Sequence, residues 1–184
     1  MAEDDLPEAC GSILSAYEGR EPDNTIDEKS CAAIIFTSGT TGEEKGVMLS
    51  HANLIDTTFN GNFDVNIKIS ILPMHHACSV KSDFLTPLGV GSTICFHNGM
   101  DKLGEALQAY EPTCLSMVPM IANALYNKVF MFSQQTGKTM EECKYLVFGK
   151  RINQIITGGA HLPSELVDKY QNIGIGIAQG YGMS

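Results

Sequence analysis

Residues 33–47 read Ala33-Ile34-Ile35-Phe36-Thr37-Ser38-Gly39-Thr40-Thr41-Gly42-Glu43-Glu44-Lys45-Gly46-Val47, an apolar stretch that gives way to hydroxyls and glycines and then to a lysine. These residue types suit a phosphate. Glycines let backbone N–H groups turn toward an anion, Ser and Thr hydroxyls add donors without bulk, and Lys45 brings a point charge. A plain flexible turn would account for the glycines but not for so many hydroxyls. The Walker A pattern Gly-x-x-x-x-Gly-Lys-Ser/Thr does not fit, because Glu44 stands five residues after Gly39 and Gly46 follows Lys45.

Two further sets of residues have chemical potential. Leu72-Pro73-Met74-His75-His76-Ala77-Cys78 places two imidazoles and a thiol after an apolar run. As a metal cluster it lacks a second set of ligands, and taken alone it is an ordinary structural feature. Ile155-Ile156-Thr157-Gly158-Gly159-Ala160-His161-Leu162 is followed by Gln179-Gly180-Tyr181-Gly182-Met183-Ser184. A nucleobase needs a flat partner and a close backbone approach, which Tyr181 and the glycines offer; Gly-Tyr-Gly in isolation would read as a turn.

The elements that must position these residues alternate along the chain. Short apolar runs at 32–37, 67–72, 92–96, 113–118, 154–157 and 173–178 predict strands buried on both faces. Between them, Ser50 is placed to cap a helix through Leu54 and Thr58, Asp101 one carrying Leu103, Leu107 and Tyr110, and Pro163 suits the first turn of one carrying Leu166, Val167 and Tyr170. After Pro119, Ile121, Ala124 and Leu125 share one predicted face while Asn123 and Asn127 take another. The predicted class is α/β, with a largely parallel sheet flanked by helices, in which ligands bind at the carboxyl ends of the strands.

Composition narrows the function. The 184 residues hold 12 Lys+Arg and 21 Asp+Glu, a net charge of −9, which argues against binding nucleic acid or an anionic membrane surface. The acidity sits mainly in residues 1–30, read as a lead-in segment before an α/β region at 31–184. Residues 115–132 are broken by Pro119, Asn123, Asn127 and Lys128, so no transmembrane segment is predicted. Cys10, Cys31, Cys78, Cys95, Cys114 and Cys143 make no Cys-x-x-Cys pair, and most lie in apolar runs, as core thiols of a cytoplasmic protein would.

With three motifs in order, the sequence resembles the adenylate-forming (AMP-binding) superfamily of acyl-CoA synthetases, luciferases and peptide-synthetase adenylation domains. Its phosphate loop reads [YF]-T-S-G-[ST]-T-G-x-P-K-G, and Glu44 stands where that proline is usual. The resemblance covers about residues 31–184 and implies ATP as substrate. It assigns Thr37 to Mg²⁺ and phosphate, Ser38, Gly39, Thr40, Thr41, Gly42 and Lys45 to the polyphosphate, and Gly158, Gly159 and Ala160 with Gln179, Gly180, Tyr181, Gly182 and Ser184 to the nucleotide. Leu72–His76 is similar to the family's L-P-x-x-H segment, which puts His76 at the acyl pocket.

The implied reaction is activation of a carboxylic acid to an acyl-adenylate and pyrophosphate, then acyl transfer to coenzyme A, the work of an acid-thiol ligase. Met48-Leu49-Ser50-His51 and Pro73-Met74-His75-His76 look most like bacterial long-chain fatty acid ligases. The family's Mg²⁺-holding glutamate would be residue 185, so the chain reads as an internal piece of the large domain. It is expected to be inactive alone and prone to self-association. Two alternatives remain at this point: a nucleotide-binding module without catalysis, and an adenylating enzyme with another acid or acceptor.

Overall fold

The computed structural model describes Gly19 and residues 25–38, 44–59, 66–97 and 99–182. Strands β1 (Cys31–Ser38) and β2 (Glu44–Ser50) form an antiparallel hairpin. Strands β3 (Ile67–Ser70), β4 (Thr93–Phe96), β5 (Cys114–Met117), β6 (Gln154–Thr157) and β7 (Gly176–Gln179) make a parallel sheet in the spatial order β4-β3-β5-β6-β7. The predicted α/β architecture is therefore present, with helices between successive strands.

Helix starts follow local chemistry. Helix α1 (His51–Phe59) opens on a reciprocal cap: the Asn53 N–H donates to Ser50 Oγ at 3.2 Å and the Ser50 N–H donates to Asn53 Oδ1 at 3.1 Å. A helical run, α2, passes from Ala77–Ser79 through a π-helical stretch, Val80–Leu85, to Thr86–Gly89. After a 3₁₀ turn at Met100–Lys102 come α3 (Leu103–Tyr110), α4 (Pro119–Thr136), α5 (Met140–Phe148) and α6 (Ser164–Asn172). Pro119 occupies the first turn of α4, where its missing N–H costs nothing.

The core lies between the sheet and α3 to α6. Ile69, Leu115, Met117 and Ile155 project from the strands to meet Leu107, Val129, Phe148 and Tyr170, all fully buried. The Tyr170 hydroxyl donates to the Ala122 carbonyl at 2.7 Å, and burial pushes the phenol's pKa up. Lys144 donates to the Ile173 carbonyl at 2.6 Å, a cation at the carboxyl end of α6.

Several expectations are corrected. The strand predicted at 32–37 is neither in the parallel sheet nor buried on both faces: Phe36 is 68% exposed and Met48 on β2 is 71% exposed. A strand's alternation says nothing about which sheet it joins. Asp101 does not cap α3; it lies within the 3₁₀ turn, and Lys102 takes the cap position without a side-chain bond. On α4 the buried face is Ala122, Leu125 and Val129, leaving Ala124 exposed beside Asn123 and Asn127. The last strand begins at Gly176 rather than 173, because Ile173 closes α6 and Gly174 turns the chain at φ +69°. Of the cysteines, Cys114 and Cys143 are buried, Cys95 is half-buried, Cys31 and Cys78 are exposed, and Cys10 lies outside the described residues.

Candidate functional site

The carboxyl ends of β3, β5, β6 and β7 bring two of the three motifs together. Strand β6 hands directly to Gly158, whose N–H donates to the Met117 carbonyl at the end of β5, 3.4 Å away. Strand β7 hands to Gly180, whose N–H donates to the Thr157 carbonyl at 2.7 Å. The Thr157 hydroxyl donates to the Ala178 carbonyl at 3.2 Å, holding the two strand ends together. A Cβ added at Gly158 would meet the Gly180 carbonyl at 3.5 Å and Cys78 Sγ at 3.9 Å, which ties the 72–78 segment to the same place.

The loop after Gly158 is held by one side chain. Gln179 donates through Nε2 to the Ala160 carbonyl at 3.0 Å and accepts the Leu162 N–H through Oε1 at 3.2 Å. Both ends of its amide are thus committed to shaping 160–162. Gly159 turns that loop at φ +76°, in the left-handed region that costs an L side chain energy. Tyr181 stands 90% exposed at the rim, its ring available as a flat surface.

His75 and His76 lie on the other side of Cys78, ring centroids 4.4 Å apart and tilted by 43°. The His76 N–H donates to the Pro73 carbonyl at 3.1 Å, and the His76 carbonyl accepts the Val80 N–H at 3.1 Å, so a tight turn presents both rings. Both imidazoles are exposed.

The hydroxyl-rich motif sits on the hairpin. Thr37 and Lys45 are directly opposite across β1 and β2, and the Thr37 hydroxyl donates to the Lys45 carbonyl at 3.4 Å. They stand one pair before Ser38 and Glu44, which adjoin the segment that joins the strands. Gly39, Thr40, Thr41 and Gly42 lie outside the described residues, as do Ser184 and the side chain of Ser38. Among the described residues no group of three His, Cys, Asp or Glu side chains is placed to hold a metal ion.

The sequence reading missed a buried polar cluster beneath the site. Lys68 Nζ lies 3.5 Å from Asp83 Oδ1 and donates to Ser116 Oγ at 2.6 Å. Burial pushes the Asp83 carboxyl up, against the pull of Lys68 and of hydrogen bonds from Ser82 and Ser116. The signal was present in Ile67-Lys68-Ile69: a lysine inside a doubly buried strand demands a partner.

Known proteins share this chain's sequence pattern and its fold. The chain is 30% identical to 4-coumarate–CoA ligase 2 of Petroselinum crispum, over 98% of this chain and 34% of that protein. It is 32% identical to the peroxisomal long chain acyl-CoA synthetase 6 of Arabidopsis thaliana, over 86% of this chain and 24% of that protein. It therefore spans a third or less of these relatives. The fold superposes on the adenylation domain of a carboxylate reductase from Mycobacterium chelonae with a TM-score of 0.79 at 21% identity, over 95% of this chain and 30% of that one. The model of the AMP-binding enzyme family matches residues 2–184, and the chain belongs to that family.

Proposed function

We propose that the protein carrying this chain activates a fatty acid with ATP, forming an acyl-adenylate and pyrophosphate, and then passes the acyl group to coenzyme A. The observation that carries this reading is the meeting of Gly158, Gly180 and Cys78 at the strand ends. It leaves bare backbone on the same wall as the segment that carries His75 and His76. In this reading adenine lies along Gly158, Gly159 and Ala160 and stacks on Tyr181. The phosphates meet the hairpin loop between Thr37 and Lys45, and His76 borders the acid.

Such a reaction asks little covalent chemistry of the protein. The carboxylate must approach the α-phosphorus in line while charge gathers on the departing pyrophosphate, so fixed donors and a cation carry most of the effect. Mg²⁺ enters as the companion of the triphosphate, with Thr37 its assigned neighbour. Met74, Ala77 and Cys78, flexible or small side chains, are compatible with an alkyl chain. The relatives include both a long chain acyl-CoA synthetase and a 4-coumarate–CoA ligase, so the acid is the variable the test compares. A reducing compartment such as the cytoplasm suits the free thiols at Cys31 and Cys78.

The test is ATP–pyrophosphate exchange by the intact protein with a long-chain fatty acid, with 4-coumarate, and with no acid. Exchange dependent on the fatty acid supports the proposal. Exchange only with 4-coumarate would reassign the substrate, and none with any acid would leave a nucleotide-binding module.

A further inference from the structure

Lys68 and Asp83 are 1% and 0% exposed, and neither lies where a nucleotide or an acid would touch it. Lys68 is in the middle of β3, and Asp83 sits in the π-helical stretch of α2, immediately after the segment that carries His76 and Cys78. The lysine reaches across to β5, donating to Ser116 Oγ at 2.6 Å, with Cys114 Sγ at 3.7 Å. On the other side the Asp83 carboxylate accepts the Ser82 hydroxyl at 3.1 Å and faces the Ser79 hydroxyl at 3.4 Å. Ser79 has one proton to give, and the Leu72 carbonyl at 2.9 Å is its nearer acceptor. The ion pair thus joins β3, β5 and α2, and Ser79, on the same helical run as Asp83, ties α2 to the Leu72 carbonyl.

A buried ion pair is a poor source of stability, since apolar side chains of similar volume hold a core at least as well. What it supplies is direction, because a charge has few partners in an apolar interior and can be satisfied in few arrangements. The π-helical turn points the same way, such turns being rare and mostly found where a site needs them. Otherwise the site-facing end of α2 is held by backbone bonds, the His76 N–H to the Pro73 carbonyl and the Val80 N–H to the His76 carbonyl, while Cys78 is exposed and His76 makes no side-chain cap.

We infer that Lys68 and Asp83 are positioning residues, which fix α2 on the sheet so that it holds the His75–Cys78 turn against Gly158, with Ser79 on the same helical run tying that turn to the Leu72 carbonyl, and so set how the acid is gripped. The inference rests on the acid-activating reading above for its kinetic consequence, though not for its structural one. Fixing the turn places His76 and Cys78 relative to the strand ends without either charge touching substrate. Loosening it should harm recognition of the acid and leave the nucleotide side, built on β6 and β7, as it was.

The experiment uses the intact protein with two variants, Lys68→Met/Asp83→Leu, which removes both charges together, and Ser79→Ala, which keeps the pair and removes the bond from α2 to the Leu72 carbonyl. Two readouts are taken: the rate at which iodoacetamide alkylates Cys78, followed by peptide mass, and the KM values for acid and for ATP. In both variants Cys78 should alkylate faster, and KM for the acid should rise about tenfold while that for ATP stays within about twofold. Unchanged alkylation with unchanged KM values, alongside a lower Tm, would make the pair purely structural and overturn the inference. Should the double variant fail to fold, Ser79→Ala decides by the same two readouts. Should the parent protein show no acid-dependent exchange, the reaction is misread, and the Cys78 rate alone decides the positioning claim.

Discussion

Cys78 Sγ stands 3.9 Å from where a Cβ on Gly158 would lie, so the turn after β3 and the turn after β6 share one wall of the candidate site. That spacing is ordinary van der Waals contact, and Gly158→Ala should fold with little change in Tm. The added methyl would nonetheless occupy the surface proposed for adenine, and nucleotide affinity measured by titration calorimetry should fall. Gly159→Ala should behave in the opposite way, costing about 1–2 kcal/mol of stability for an L residue in the left-handed region. Equal nucleotide affinity in parent and Gly158→Ala would move the adenine site elsewhere.

At the hairpin, Lys45→Ala and Thr37→Ala should each slow acid-dependent pyrophosphate exchange by about 10²-fold or more, the usual cost of losing a preorganised donor to a developing negative charge. Glu44→Pro should preserve exchange, because Glu44 is the first residue of β2 and a strand tolerates proline there. Normal exchange in both alanine variants would remove this hairpin from the reaction.

Low pH should separate two carboxylates. Thr139 caps α5 in a capping box with Glu142, whose carboxylate accepts the Thr139 N–H at 2.9 Å and is held below its ordinary range by that bond. Its stabilising effect is present above the ordinary glutamate range and lost as pH falls through the lowered value of the folded state. Asp83 is raised by burial, so the folded protein holds a proton the unfolded chain has released, and its contribution shrinks as pH rises from the ordinary aspartate range to the raised value. Urea midpoints followed from about pH 3 to 7 should lose part of their acid-side fall in Glu142→Gln. A curve identical to the parent's would discard the cap. Thr139→Ala should cost about 1 kcal/mol at neutral pH.

One face of the hairpin carries Ile34 and Phe36 with Met48 opposite Ile34, all exposed. An apolar face of this kind draws copies of a chain together unless something covers it. The chain is expected to sediment as dimers or larger species, and Phe36→Ser with Met48→Ser should shift it toward monomer. Sedimentation unchanged by the pair would exonerate the hairpin.

The elements most legible in the sequence were those whose limits are set locally. Strand β6 occupies the predicted 154–157, and α4 begins at Pro119, where the proline can start a helix and cannot continue one. Helix α5 is not predicted above although Thr139 is followed three residues later by Glu142, a capping signature weaker to the eye than an apolar stripe. Partnership was harder to read than type. Ile34 and Phe36 mark a strand, yet nothing within 32–37 tells whether it joins the sheet or pairs with Met48 and Gly46. For the site, Gly158, Gly180 and Tyr181 stood out because bare backbone and a flat ring have an evident use. Lys68 and Asp83 did not, being 15 positions apart and connected only once β3 and α2 are folded together.

The order β4-β3-β5-β6-β7 also sets a direction for assembly. Strand β3 pairs with both β4 and β5, so the earliest of the five in the chain lies inside the sheet and can collect its neighbours as they emerge from the ribosome. Each later strand then adds to the free edge left by the one before, β6 to β5 and β7 to β6. Parallel pairs close long loops and form slowly, so nascent chains arrested between β6 and β7 would expose one unsatisfied edge for as long as the last crossover takes. That vectorial growth makes β7, which delivers Gly180 and Tyr181, the last of these five strands to find its place.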